Sequence, residues 1–334
     1  MITKIAFVDD GLPGIARRRA GKGWAYIDAK GERITDRDEI DRLNAIGMPP
    51  AYRDCWFCPS PDGHIQAIGY DDKGRKQYRY HLDFRAKQEA AKYDRCADFG
   101  RALPLLRARV ESDLKRRALG REQAIASVVR LLDLGRVRVG NEGYAKENKS
   151  FGATTLRKRH AHVKGKTVCL EYRAKSGKMR ALKITDGTLS RFVKKMQDLP
   201  GQHLFSWTDA DGGSHVVTST AVNDYIREAT GGEFTAKHFR TWGASVLAFT
   251  ALASARAPLS LAAMLEPVTE ALGNTPAIAR KSYVHPRLIA LTKEGQRDFR
   301  ESVALPRATR YLTRYERGLI ELLESPLPRA RKVA

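Results

Sequence analysis

Near residue 84 the spacing of apolar side chains changes from every second position to every third or fourth, and that change most constrains the fold. Before it, Trp24-Ala25-Tyr26-Ile27 reads as a strand with a turn at Lys30-Gly31. Cys55-Trp56-Phe57-Cys58 is a short apolar strand, and Ile65 to Tyr70 with Lys76 to His81 form a hairpin turning at Asp72-Lys73-Gly74. One helix interrupts them. Asp36-x-x-Glu39 resembles a capping box ahead of Ile40, Leu43 and Ile46, and Gly47 with Pro49-Pro50 stops it. Residues 1–22, with Arg17-Arg18-Arg19 and scattered glycines, offer little to bury and read as a basic arm.

Beyond residue 84 the pattern predicts helices over Asp83–Phe99, Pro104–Ala118 and Arg121–Leu134. A β island follows at Thr154–Val163, Thr167–Arg173 and Met179–Ile184, with Ser176-Gly177 as a tight turn. Helices then resume. Asp186 or Thr188 caps Leu189–Met196, Ser219 caps Thr220–Ala229, and Thr235 caps a helix through Arg240 to Leu252. Pro258 begins another, weakened at Pro267, and Thr275-Pro276 opens a short helix that leads to Tyr283. A last helix spans Ala308 to Leu323. The expected organisation is a basic arm (1–22), a small β-rich domain (23–83), a mainly α domain with a small antiparallel sheet (84–325) and a basic tail (326–334), an α+β chain.

Sixty Lys and Arg against thirty-eight Asp and Glu give a net charge of +22. A charge this large repels itself in the folded state, and a polyanion relieves it; nucleic acid is the commonest such partner. No apolar run is long enough for a signal peptide or a membrane span, so the chain is expected to be cytoplasmic. Its four cysteines form no regular disulfide framework.

Metal and nucleotide motifs are weak. Cys55-x-x-Cys58 lacks a second ligand pair at zinc-finger spacing. His160-x-His162 falls in an expected strand, with both rings on one face and no carboxylate or cysteine partner evident; it reads as a phosphate contact or a solvated strand. Gly135-Arg136-Val137-Arg138-Val139-Gly140 lacks the Lys-Ser/Thr of a phosphate loop, and no carboxylate cluster suggests a two-metal nuclease.

A chain that handles a phosphodiester without metal or cofactor must use its own cations. In-line attack builds charge on the non-bridging and leaving oxygens. Arginine forks suit the former, and a lysine can protonate the latter. A tyrosine nucleophile stores the bond energy covalently, since a phenol leaves more easily than an alkoxide. Arg138, Lys175 at a hairpin tip, Arg240, Asn274 and Tyr283 supply these types. Composition alone does not choose them among sixty cations and twelve tyrosines.

The ordered motifs do. Arg138-Val139-Gly140, Tyr144-Ala145-Lys146-Glu147-Asn148, Gly152-Ala153-Thr154-Thr155-Leu156 and His160 come first. Tyr172-Arg173-Ala174-Lys175-Ser176-Gly177-Lys178, Lys237-His238-Phe239-Arg240-Thr241-Trp242-Gly243, Leu272-Gly273-Asn274-Thr275-Pro276 and Lys281-Ser282-Tyr283 follow. In this order and spacing they resemble the type IB DNA topoisomerases of the bacterial and poxvirus kind. The likeness runs over most of residues 20–300, including Ala67-Ile68-Gly69-Tyr70 and Gly74-Arg75-Lys76-Gln77-Tyr78.

The resemblance implies a clamp around duplex DNA, with the mainly α domain catalytic. It implies that Arg138 and Arg240 hold the scissile phosphate, Lys175 acts as general acid, and Tyr283 attacks to form a 3′-phosphotyrosyl link. Asn274 stands where poxvirus and nuclear relatives carry histidine; it can donate a hydrogen bond but carries no charge. Lys237 is implied as a supporting lysine, and Gln77, Tyr78 and Tyr80 as major-groove contacts, with Lys146 and His160 also counted as DNA contacts. The implied enzyme is a nucleoid-associated monomer that needs neither ATP nor metal. The rival readings are a site-specific tyrosine recombinase, which usually carries a helical N-terminal domain, and a non-catalytic nucleic-acid-binding protein.

Overall fold

The computed structural model describes residues 5–21, 23–72, 74–116, 120–199 and 201–325, with side chains except at 89–92. Lys73 of the expected turn, the first four residues of the expected arm and the 326–334 tail lie outside the described residues. Two compact units part at Lys92 and Tyr93, nine residues beyond the expected boundary. Among the described residues no helix is long and apolar enough to cross a membrane.

The first unit is an antiparallel five-stranded sheet with one helix against it. Its strands are β1 (Ile15–Ala20), β2 (Gly23–Ile27), β3 (Arg53–Phe57), β4 (Ile65–Tyr70) and β5 (Lys76–Tyr80), in the order β2-β1-β3-β4-β5. Helix α1 (Arg37–Ala45) follows Asp36, whose carboxylate accepts from the Asp38 amide at 3.2 Å. Glu39 pairs with Arg42, which also donates to the Cys58 carbonyl and so ties the helix to the sheet. The core is Ile15, Tyr26, Leu43, Met48, Phe57 and Ala67.

The expected basic arm is corrected from Ile15 onward: this stretch is strand β1, paired to both β2 and β3. Three consecutive arginines disguised a period-two pattern. Ile15 is 4% exposed, and Arg17 on the same face donates to the carbonyls of Met48, Pro49 and Tyr52 while lying 4.0 Å over the Trp24 ring. Helix α2 (Leu82–Asp94) leads out of the sheet.

The second unit opens with α3 (Cys96–Leu114), α4 (Arg121–Gly135) and α5 (Glu142–Asn148). A meander of β6 (Ala161–Lys164), β7 (Thr167–Arg173) and β8 (Met179–Thr185) follows, then α6 (Gly187–Asp198) and the hairpin β9 (Ser206–Thr208) with β10 (Ser214–Val216). The rest is α7 (Ser219–Thr230), α8 (Ala236–Ser254), α9 (Leu261–Leu272), α10 (Pro276–Ser282), α11 (Pro286–Leu291), α12 (Gln296–Ser302) and α13 (Arg314–Glu324). Helix α8 is buried at every position from His238 through Ser245, so it runs through the core rather than over it.

Several local expectations change. Pro104 lies inside α3 rather than at a helix start; Leu103 and Leu106, fully buried on either side, hold the helix through it. The strand expected from Thr154 is confined to β6, and two short 3-10 turns, Ala153–Thr155 and Lys158–His160, precede it. His160 is therefore not on a strand face with His162. It is buried against Phe151, and its Nδ1 accepts from the Arg157 amide. Thr218, not Ser219, caps α7, and Ser260 caps α9 two residues after Pro258. Hairpin β9–β10 and helices α11 and α12 are too short to show a clear period in sequence.

A buried ionic cluster locks the helical core. Arg107 on α3 reaches Asp133 on α4 at 2.8 Å and Glu316 on α13 at 2.7 Å, and the Trp242 indole of α8 donates to Glu316 at 3.3 Å. Burial pushes the Glu316 carboxyl up, but Arg107 and the Thr313 amide outweigh it and hold its pKa below the usual 4.5. Its folded-state pKa is depressed, so its contribution to stability is complete above the unfolded value and is lost as pH falls through the folded one. Glu316→Gln is expected to cost on the order of 3 kcal/mol at neutral pH. Thermal unfolding between pH 7 and pH 3 checks this: the gap between wild type and variant should narrow below about pH 4.5.

Candidate active site

Tyr283 is fixed from both sides. Thr275 caps α10, its hydroxyl accepting from the Ile278 amide at 3.4 Å, and Pro276 occupies the first turn. The Tyr283 amide closes the helix on the Ala279 carbonyl at 3.1 Å. Val284, fully buried, anchors the next position. Ser245 on α8 spans the junction: its hydroxyl accepts from the His285 amide at 3.1 Å and lies 3.5 Å from the Tyr283 carbonyl. The nucleophile candidate thus sits at a helix end whose direction is set by the buried core.

Three other candidates meet it. Arg138 follows α4, whose C-cap Arg136 is left-handed (φ 50°). The Arg138–Val139 backbone is pinned by the Ala153 and Thr154 amides at 2.8 and 2.7 Å. Arg240 projects from α8 with its guanidinium carbon 4.7 Å from the Tyr283 ring centroid. It donates to the carbonyls of Arg136 at 2.6 Å and Leu272 at 3.3 Å. Asn274 follows the left-handed Gly273 at the end of α9, and its Oδ1 accepts from Arg138 at 3.2 Å.

The electrostatics favour an anion. Burial raises the Tyr283 phenol, but the charges of Arg240 and Arg138, with the Arg240 and Asn274 hydrogen bonds, leave its pKa below the usual 10. Burial lowers the Arg240 pKa, as does Arg138, while Tyr283 opposes them. Arg240 Nε and Asn274 Nδ2 are buried without an acceptor of good hydrogen-bond geometry. Buried donors of this kind call for an acceptor, and phosphate oxygens are suitable ones.

The remaining candidates lie elsewhere. Lys175 is exposed on a 3-10 turn, Lys175–Gly177, between β7 and β8, and among the described contacts none joins it to these four residues. The turn is as tight as expected, with Ser176 and Gly177 both left-handed. Lys237 is exposed in the first turn of α8, and Lys146 is exposed on α5. In the first unit Gln77, Tyr78 and Tyr80 lie on the edge strand β5. Tyr78 and Tyr80 are 41% and 45% exposed, with rings stacked at 5.8 Å, whereas Gln77 donates to Asp71 at 3.0 Å. Cys55 is half-buried and Cys58 buried; both are free thiols. Among the described residues no group of three or more His, Cys, Asp or Glu side chains could hold a metal.

One residue beside the site was missed in sequence. Arg180 on β8 stands directly across from Tyr172 on β7 and donates to the Ala271 carbonyl of α9. Its signal was available: Ile184, Leu182 and Arg180 share the inward parity of β8.

Comparison with known proteins bears on the family of the chain. A family model described as "Eukaryotic DNA topoisomerase I, catalytic core" matches residues 81–284, and one described as "Bacterial DNA topoisomerase IB, N-terminal domain" matches residues 23–71. The DNA topoisomerase 1B of Acanthamoeba polyphaga mimivirus is 33% identical over 288 residues, covering 82% of this chain and 85% of that one. The DNA topoisomerase 1 of Mycosarcoma maydis is 28% identical over 193 residues, 51% of this chain and 19% of that protein. A XerH site-specific recombinase bound to its difH substrate matches 57% of this chain and 51% of its own at 16% identity and a TM-score of 0.37, too slight a likeness to bear on function. With the catalytic-core model spanning more than half its length and a viral relative 33% identical over more than four-fifths of both chains, the chain belongs to the type IB DNA topoisomerase family.

Proposed function

We propose that this topoisomerase relaxes supercoiled duplex DNA by nicking and resealing one strand at a time through Tyr283. The observation that carries the reading is the meeting of Arg138, Arg240 and Asn274 at a tyrosine whose phenol is easier to ionise than usual. In this reaction the Tyr283 phenol releases its proton to solvent, the phenolate Oη attacks the phosphorus, and the bond to the 5′ oxygen breaks. The 3′ end is then held as a phosphotyrosine, and the 5′ oxygen leaves as a hydroxyl after taking a proton from Lys175. Arg138 and Arg240 stabilise the charge on the non-bridging oxygens, and Asn274 donates a neutral hydrogen bond there. After the free end rotates, the 5′ hydroxyl attacks the phosphotyrosine and the steps reverse. The phosphotyrosine conserves the bond energy, so the cycle needs no ATP. The enzyme acts as a monomer on nucleoid DNA, with Tyr78, Tyr80 and Lys146 contributing to duplex contact and Lys237 supporting the site.

Incubation with a supercoiled plasmid that lacks recombination sites, in EDTA and without ATP, tests the reading. Relaxed topoisomers and a protein–DNA adduct on a denaturing gel, mapped to Tyr283, are expected. A plasmid left supercoiled would reject it.

Assigning the leaving-group proton to Lys175 has its own consequence. Lys175→Ala should slow cleavage of ordinary DNA by about 10²–10⁴-fold. On a substrate whose 5′ bridging oxygen is replaced by sulfur, which departs without a proton, the variant should approach the wild-type rate. An equal deficit on both substrates would remove the general-acid role.

A further inference from the structure

The last turn of α9 is held by two arginines that come from different parts of the fold. Arg240 of α8 donates to the Leu272 carbonyl at 3.3 Å, and Arg180 of β8 donates to the Ala271 carbonyl. A helix C-terminus presents unpaired carbonyls and partial negative charge, so two guanidiniums suit it. The chain then turns through Gly273 at φ 63° and delivers Asn274. The left-handed turn itself favours glycine at 273, and a Cβ there would press on the Arg180 guanidinium.

Arg180 is itself set by strand register. It faces Tyr172 across β7–β8, and the Tyr172 ring is 3% exposed, so the guanidinium rests against a buried phenol. Nothing in the proposed chemistry uses Arg180 directly. Its contacts lead to the residue that does enter it: Asn274, bonded to Arg138 at 3.2 Å and helping to lower the Tyr283 pKa.

We propose that Arg180 is a positioning residue for strand cleavage: it locks the end of α9 so that Asn274 stays paired with Arg138 beside Tyr283. This rests on the cleavage reading above. A loosened α9 end would let Asn274 drift, and a displacement of about 1 Å in a site of this kind can cost on the order of a hundredfold in rate.

The test is a double-mutant cycle read as single-turnover adduct formation on the full chain. Arg180→Met, which keeps the apolar stem and removes the fork, should slow cleavage by about ten- to a hundredfold with DNA affinity within about twofold of wild type. In an Asn274→Ala background the same substitution should change the rate by less than about twofold, because the group it positions is gone. Arg180→Lys, which keeps one donor for the Ala271 carbonyl, should recover part of the rate, and it carries the cycle if the Met variant does not fold. Equal fold-losses in both backgrounds, or no loss in either, would overturn the proposal. Absence of adduct from the wild-type chain would instead strike the cleavage reading.

Discussion

Tyr283→Phe is expected to lower strand cleavage by a factor on the order of 10⁴ or more while DNA affinity stays within about twofold. The substitution removes one oxygen and little else. The ring still lies beneath Arg240, and Val284 and the Ser245 hydroxyl still fix the chain after α10. Binding should persist because the attraction between a chain of charge +22 and phosphates does not depend on one phenol. Filter binding and a denaturing adduct gel on the same preparation separate the two quantities. An adduct that survives in the variant would mean another nucleophile, and the proposed mechanism would fall.

Arg240→Met is expected to have the second largest effect, with three separable signatures. Cleavage should fall by about 10²–10³-fold through loss of a charged donor at the phosphate. The rate–pH profile should move to higher pH. In the wild type, burial pushes the Tyr283 phenol up and the Arg240 charge pulls it down; without that charge the phenol ionises later, so the alkaline rise in rate comes later. Stability should fall as well. Arg240 donates to the buried-side carbonyls of Arg136 and Leu272, and each left without a donor costs about 1–3 kcal/mol. Arg240→Lys should rescue little, since one ammonium cannot serve both carbonyls and the phosphate at once. A rate–pH profile unmoved by Arg240→Met would dissociate the arginine from the ionisation of the tyrosine.

The parts of this fold legible in sequence were those with local signals. Helices α4, α6, α8 and α10 carry apolar residues at helical spacing behind clear starts, and Thr275-Pro276 marked the helix before Tyr283 to the residue. What stayed hidden depended on distant neighbours. β1 could not be read because Arg17 is satisfied by carbonyls more than thirty positions away. Pro104 looks like a helix start in sequence because the packing of Leu103 and Leu106 is invisible locally. His160 has a strand-like sequence context, but the strand begins one residue later.

The site divides in the same way. Arg138, Arg240, Asn274 and Tyr283 were chosen through ordered motifs, and long-range folding brings them together across 145 positions of chain. Residue type does not single out Arg180 among sixty cations; strand parity places it on the inward face of β8, and the pairing with β7 and the approach of α9 show what it touches there.

The burial of α8 has a practical consequence for anyone who wants a more heat-tolerant version of this protein. The helix supplies Phe239, Trp242 and Phe249 to the core and, on the same rod, Arg240 and Ser245 to the tyrosine. Changes there cannot trade robustness against turnover independently, because each would alter both. Room for improvement lies at positions that touch neither, such as the exposed β10 strand at Ser214–Val216 or the exposed Arg297 and Glu301 on the outer side of α12. There substitutions can be screened for tolerance to heat alone.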